Sequence, residues 1–189
     1  MERSTGPVIP KVVQSIDGYV TNEGIELIGQ KLELATAEVT AVSTFYTQYK
    51  SKPVGEYHVG ICTNTLCAVM GGDAIFSSIK EHLSIENDGV TSDGKVSVEH
   101  IECNAACDYA PVVMVNWEFY DNQTVQSTKD LVDSARAGKP IPPTRGPKTL
   151  RTWKQNSAVL AGISDGLANE GVQAGEPTLL GLNKAKGGA

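Results

Sequence analysis

Residues 57–67, YHVGICTNTLC, and residues 96–116, VSVEHIECNAACDYAPVVMVN, decide how this chain is read. Tyr57 to Cys62 alternates as a β-strand does, and Val96 to Ile101 repeats the pattern. Each run leads into a pair of cysteines. Val112 to Val115 reads as a third strand and Glu118 to Tyr120 as a fourth, joined at Asn116-Trp117 by a tight hairpin turn. Between the first two strands, Gly71-Gly72-Asp73 opens a helix that carries Ile75, Ile79 and Leu83 on one face. After the fourth, Thr128 reads as the cap of a helix containing Leu131, Val132 and Ala135 and ending at Gly138. The order β-α-β-β-β-α gives an α+β or α/β unit over residues 51–140, with helices packed on a mixed four-stranded sheet.

Ahead of this unit, residues 1–50 read as a bundle of about three helices. Val8, Ile9, Val12, Val13 and Ile16 lie close to helical spacing between Pro7 and Asp17. Thr21 is the N-cap of a second helix with Ile25, Leu27, Ile28, Leu32 and Leu34 as its apolar face. Thr36 caps a third, whose buried stripe is Val39, Val42, Phe45 and Tyr46. Behind the unit, Pro140, Pro142, Pro143 and Pro147 exclude regular structure, and residues 141–189 read as an extended tail. In that tail Trp153, Leu160, Ile163, Leu179 and Leu180 are sparse anchors of the kind that order on a partner.

The net charge of −6 disfavours a polyanionic partner. From Thr144 onward six basic and three acidic residues make the tail +3, which leaves −9 on residues 1–143. This asymmetry suits docking on another protein. The chain has no apolar run near the roughly 20 residues that a membrane-spanning helix needs, and MERSTGPVIPK at the N-terminus has no apolar signal core. A cytosolic protein is expected, in which four cysteines serve as metal ligands or reactive thiols more readily than as disulfides.

The cysteines are Cys62, Cys67, Cys103 and Cys107, spaced C-x4-C, then 35 residues, then C-x3-C. Zinc sites built on four cysteines favour the narrower C-x2-C knuckle. A thiol–disulfide exchanger wants C-x-x-C at a helix start. Four unrelated core cysteines would not all fall in two loops. A [2Fe–2S] cluster spreads four thiolates over two irons, so its loops must pass around bridging sulfides, and both pairs are wide enough for that. His58, His82 and His100 are scattered and suit core or solvated roles. The chain carries no G-x-G-x-x-G or P-loop for a nucleotide. Met70, Met114 and the Phe45-Tyr46 pair read as core.

CTNTLC followed by ECNAACDYAPVVMVN resembles the thioredoxin-like [2Fe–2S] ferredoxins, with particular likeness to the 24-kilodalton subunits of NADH:quinone oxidoreductase, respiratory complex I. The segment DGYVTNEGIELIGQKLELATAEVTAVSTFYTQY looks like the helical leader of those subunits. The resemblance runs from about Pro7 to Gly138 and does not cover the tail. The first helix begins almost at Met1, so earlier elements of that family, and the part of its interface they make, are expected to be absent from this sequence. Asn104-Ala105-Ala106 stands where the family usually has Leu-Gly, and Asp108-Tyr109 replaces smaller residues; no ligand is lost by either change.

The resemblance implies a thioredoxin-like sheet and one [2Fe–2S] cluster, with Cys62 and Cys67 on one iron and Cys103 and Cys107 on the other. Backbone N–H groups of both loops, and the Thr63 and Thr65 hydroxyls, would donate to sulfur and so tune the potential. Ala110–Pro111 would be cis. FMN and NADH would sit in a flavoprotein partner, and the leader and tail would grip that partner and a large iron–sulfur subunit. The assembly would be a peripheral arm on the cytoplasmic side of the membrane. The corresponding subunit of an NAD-linked hydrogenase or formate dehydrogenase, a free ferredoxin and a zinc-binding structural module are the alternative readings.

Overall fold

The computed structural model describes residues 8–167, 170–172 and 174–188. Pro7, where the first helix was expected to begin, lies outside them. Three helices open the described chain: α1 (Ile9–Asp17), α2 (Asn22–Leu32) and α3 (Thr36–Phe45). They meet on Val13, Ile28 and Val39, with Ile9, Ile25, Leu32 and Leu34 packed around them. Gly18 closes α1 in the left-handed conformation that glycine adopts at least cost. The Thr21 hydroxyl accepts from Gly24 N at 3.0 Å, as an N-cap should. The cap of α3 lies one residue earlier than expected, at Ala35, whose N–H donates to the Glu38 carboxylate.

The next elements are β1 (Tyr57–Cys62), α4 (Thr65–Val69), α5 (Gly72–Leu83), β2 (Gly89–Val90), β3 (Val96–Ile101), β4 (Val113–Val115), β5 (Glu118–Tyr120) and α6 (Val125–Arg136). The strands form one mixed sheet in the order β2-β3-β1-β4-β5. β1 runs parallel to β3, with Cys62 opposite Ile101, and antiparallel to β4, with Val59 opposite Val115. β4 and β5 form the expected hairpin, with Asn116 and Trp117 both at positive φ. One sheet face packs Val59, Ile61, Val96, Val98, Val113 and Val115 against Ile75, Ile79 and Leu83 of α5 and Leu131, Val132 and Ala135 of α6. Three of the four strand pairings are antiparallel, and most helices lie outside the strand run, which makes the class α+β.

The sheet has five strands, not four. Its extra strand, β2, is two residues long and sits in a polar stretch with no alternation to reveal it. The Thr91–Val96 turn creates it: Thr91 N donates to Val96 O at 2.8 Å, and Val96 N donates back to Thr91 Oγ1 at 3.0 Å. Helix α6 also starts earlier than read. Its cap is Thr124, whose hydroxyl accepts from Ser127 N at 3.1 Å, while Thr128 lies buried inside the helix and bonds back to Thr124 O.

Two further corrections concern exposure. Val42, Phe45 and Tyr46 do not form a buried stripe; Phe45 is 77% exposed. Helical spacing reports a common face, and only Val39 of that face meets α1 and α2. Residues 141–189 are not wholly extended. They contain α7 (Trp153–Leu160) and α8 (Glu176–Ala185). Trp153 is buried within this chain: its indole N–H donates to Gly18 O at 2.6 Å, and Ser157 bonds Gln14 at 3.1 Å. Leu160, Ile163, Leu179 and Leu180 remain exposed. The proline stretch before α7 is irregular, as expected.

All six residues of β1 are buried. On the face away from α5 and α6, His58 lies 5.1 Å from the Trp153 ring, and Cys62 packs with Ile101, Val112 and Met114. The cysteine loops rise from this second face.

Candidate metal centre

Cys62 is the last residue of β1, and its N–H donates to Val112 O at 3.2 Å. Asn64 is the N-cap of α4, but its amide donates to Ile101 O at 3.2 Å and approaches Cys62 Sγ at 3.9 Å. That bond ties the first loop to the end of β3, where the second loop begins. Cys67 sits within α4. Helix α5 then starts so close that a Cβ on Gly72 would stand 2.5 Å from Cys62 O and 2.9 Å from Cys67 O. Only glycine allows that approach.

The second loop leaves β3 at Ile101. Ala105 sits at φ 53°, and its N–H donates to Cys103 Sγ at 3.4 Å. Cys107 opens a single 3-10 turn, Cys107–Tyr109, and the Ala110–Pro111 peptide that follows is cis.

The structure brings all four cysteines to one cleft of about 330 Å³, lined also by Asn64, Thr65, Leu66 and Val69. All four thiols are free. Cys62 and Cys67 are 3% and 2% exposed, whereas Cys103 and Cys107 face solvent. Burial pushes the Cys67 thiol up to about 11, against a pull from the Val112 N–H, and its bond with Cys62 adds to the rise. The Cys107 thiol is also pushed up, first by its hydrogen bond with Cys103, with smaller effects from burial and from the Cys62 and Asp108 charges. The sulfurs are thus paired within each loop, and Cys107 is in electrostatic range of both first-loop thiols.

Thiols raised in this way resist ionisation until a cation compensates them, and a coordinated metal does so outright. Among the described residues no three His, Cys, Asp or Glu side chains converge as a single-ion site would. Two thiol pairs facing one cleft fit a two-iron cluster, which takes one pair on each iron.

Of the expected sulfur donors, the Ala105 N–H is in place. Among the described residues it is the Asn64 amide, and not the Thr63 or Thr65 hydroxyl, that approaches sulfur in the first loop. The histidines lie elsewhere. His58 is buried, with Nδ1 2.8 Å from Ser97 Oγ and Nε2 2.8 Å from Glu99. The Glu99 carboxylate can only accept, so His58 Nε2–H donates to it, and Nδ1 of the neutral ring accepts from the Ser97 hydroxyl, which itself accepts from Gly55 N. His82 pairs with Asp133, and His100 meets Phe76 edge to face. Sequence reasoning did not find Asn64 and Gly72 as supports of the site. Their roles depend on how closely α5 and β3 approach, which spacing does not report.

The model of the thioredoxin-like [2Fe-2S] ferredoxin family matches residues 4–136. An NADH-quinone oxidoreductase subunit of Mycobacterium tuberculosis (strain ATCC 25618 / H37Rv) is 56% identical over 176 residues, which is 93% of this chain and 69% of that protein. The NADP-reducing hydrogenase subunit HndA of Solidesulfovibrio fructosivorans is 34% identical over 119 residues, covering 63% of this chain and 70% of that one. A solved NAD+-reducing [NiFe]-hydrogenase in the H2-reduced state superposes with a TM-score of 0.63 at 16% identity, over 74% of this chain and 24% of its own length. At that identity the likeness speaks for the fold.

Proposed function

Since the chain belongs to the thioredoxin-like [2Fe–2S] ferredoxin family, we propose that it is the electron-transfer subunit of an NADH:quinone oxidoreductase, with Cys62 and Cys67 holding one iron of the cluster and Cys103 and Cys107 the other. The observation that carries this reading is the gathering of four free thiols, paired by loop, on one surface cleft. When bound, the cluster supplies one-electron redox chemistry.

The chain's own residues do the rest. β1 and α4 fix the first pair inside the core and exclude water from it. Asn64 and the Ala105 N–H approach sulfur as donors, and such donors favour the more negative, reduced form. The cleft has an apolar side: Leu66 and Val69 line it and are exposed, and Val69 is 81% open. Such a side lets a partner come close enough for electron exchange. That partner is a flavoprotein subunit holding FMN and NADH, and a large iron–sulfur subunit adjoins it in a peripheral arm on the cytoplasmic side. Among the described residues, no helix is long and apolar enough to cross a membrane.

Iron and acid-labile sulfide analysis of the purified full-length chain tests the cluster, with EPR of its dithionite-reduced form. Two irons and two sulfides per chain with a rhombic signal are expected; one zinc and no iron would sink the reading. The likeness to a hydrogenase subunit favours one second reading, an NAD(P)-linked hydrogenase with the same cluster chemistry. Mass spectrometry of the co-purified chains decides between them.

A further inference from the structure

The family match ends at residue 136, yet the chain returns to the cysteine cleft beyond that point. Thr144 N donates to Phe119 O at 2.9 Å, and Arg145 bridges Phe119 in antiparallel register, so the segment lies along β5. This places Arg145 behind the second cysteine loop with only 8% exposure. Its Nη2 donates to Asp121 Oδ1 at 2.6 Å and to Asp108 Oδ1 at 3.3 Å, and its Nε donates to Asp121 at 3.2 Å. The guanidinium lies 4.9 Å from the Phe119 ring centre and 5.8 Å from that of Tyr109. Asp108 directly follows Cys107 in the 3-10 turn. Its other oxygen accepts from the Thr178 hydroxyl of α8 at 3.1 Å, and the Tyr109 hydroxyl accepts from Glu176 N at 3.3 Å.

The turn that bears Cys107 is therefore gripped from behind by residues outside the family-matched region. Arginine suits this place, since a rigid fork can serve two carboxylates while its face stacks on aromatic rings. Charge matters as much as geometry. A carboxylate adjacent to a thiolate ligand disfavours the added electron, and a guanidinium on that carboxylate offsets it.

We propose that Arg145 is a positioning residue for the second ligand pair: by holding the Asp108 carboxylate it fixes the Cys107 turn and cancels the negative charge that Asp108 would otherwise place beside the sulfur. The proposal rests on Cys107 being a ligand. The experiment is an EPR-monitored redox titration of the purified full-length chain, with iron and sulfide counted in every sample, on wild type, Arg145→Gln, Asp108→Asn and the double variant.

Arg145→Gln should lower the midpoint potential by about a tenfold change in the reduction equilibrium, which is ~59 mV for a one-electron couple. Asp108→Asn should raise it. The double variant, which restores the wild-type net charge, should return close to wild type. A role in folding alone would not give opposite shifts that cancel. Cluster-replete Arg145→Gln and Asp108→Asn samples with wild-type potentials would overturn the proposal, as would a double variant shifted as far as Arg145→Gln. If Arg145→Gln does not assemble, Asp108→Asn still decides, because it keeps the Arg145–Asp121 pair: no upward shift refutes the idea. A wild-type chain without two irons and two sulfides would instead remove the cluster reading itself.

Discussion

The two cysteine loops are alike in length and unlike in support. CTNTLC grows out of the central strand into a helix packed against the core, and both of its sulfurs are buried. CNAAC leaves the end of β3 and turns at the surface, with an alanine at positive φ and both sulfurs exposed. The first loop is held by what lies beneath it: Val112, Ile101 and the backbone of α5. The second is held from behind, by side chains that come from far along the chain. A four-thiolate site can thus have one rigid half and one braced half, and the two should fail differently.

The largest effect should come from Gly72→Ala. The new methyl would press on the backbone at both ends of the rigid loop, at Cys62 O and Cys67 O, where neither neighbour is the free end of a side chain. We expect a loss of about 1–3 kcal/mol in denaturant unfolding and no cluster retained through purification. A fully loaded, equally stable variant would show that the first loop is not rigid.

Next in size is the contrast between serine substitutions. Cys67→Ser places a shorter-reaching oxygen where the backbone cannot follow, so iron should fall to background. Cys107→Ser lies in a turn that can adjust, so a partly loaded complex with a changed EPR spectrum is expected. Equal losses in the two variants would erase the distinction between the halves.

The smallest effect is a response to acid. Burial holds the His58 imidazole below its ordinary value, despite the Glu99 carboxylate beside it. Burial would raise the Glu99 carboxyl, but hydrogen bonds from His58 and Lys50 outweigh it and hold the group at about 2. In both cases the unfolded chain takes up its proton first. Stability should therefore fall as pH drops below the histidine's ordinary 6.5, and fall further from 4.5 towards about 2. Thermal unfolding across this range, with His58→Gln for comparison, measures it. The variant should flatten the upper part of the profile, and an unchanged slope would remove His58 as its source.

Much of this was legible in the residues. The alternation of Tyr57 to Cys62 and Val96 to Ile101, the hairpin at Asn116-Trp117 and the spacing of the cysteines located the sheet and the site, because strands and ligand loops are local patterns. What stayed hidden depends on distance. Phe45 and Tyr46 have helical spacing, but only the positions of α1 and α2 decide that they stay outside. Trp153 was read as an anchor for a partner, and its seat proved to be Gly18 of the same chain. Arg145 carries no motif, and its partner Asp108 lies 37 residues earlier. β2 is two residues long, one of them glycine, in a polar stretch, so no alternation could announce it.

The bonds from Trp153 to Gly18 and from Ser157 to Gln14 span 135 and 143 residues. A ribosome makes α1 before every strand of the sheet and the seat of α1 after all of them. Every cysteine has been translated before Trp153 exists, so until then α1 can pack only on α2, α3 and their neighbours. The order of synthesis thus puts the seat of α1 late, and a late helix locks the first one down.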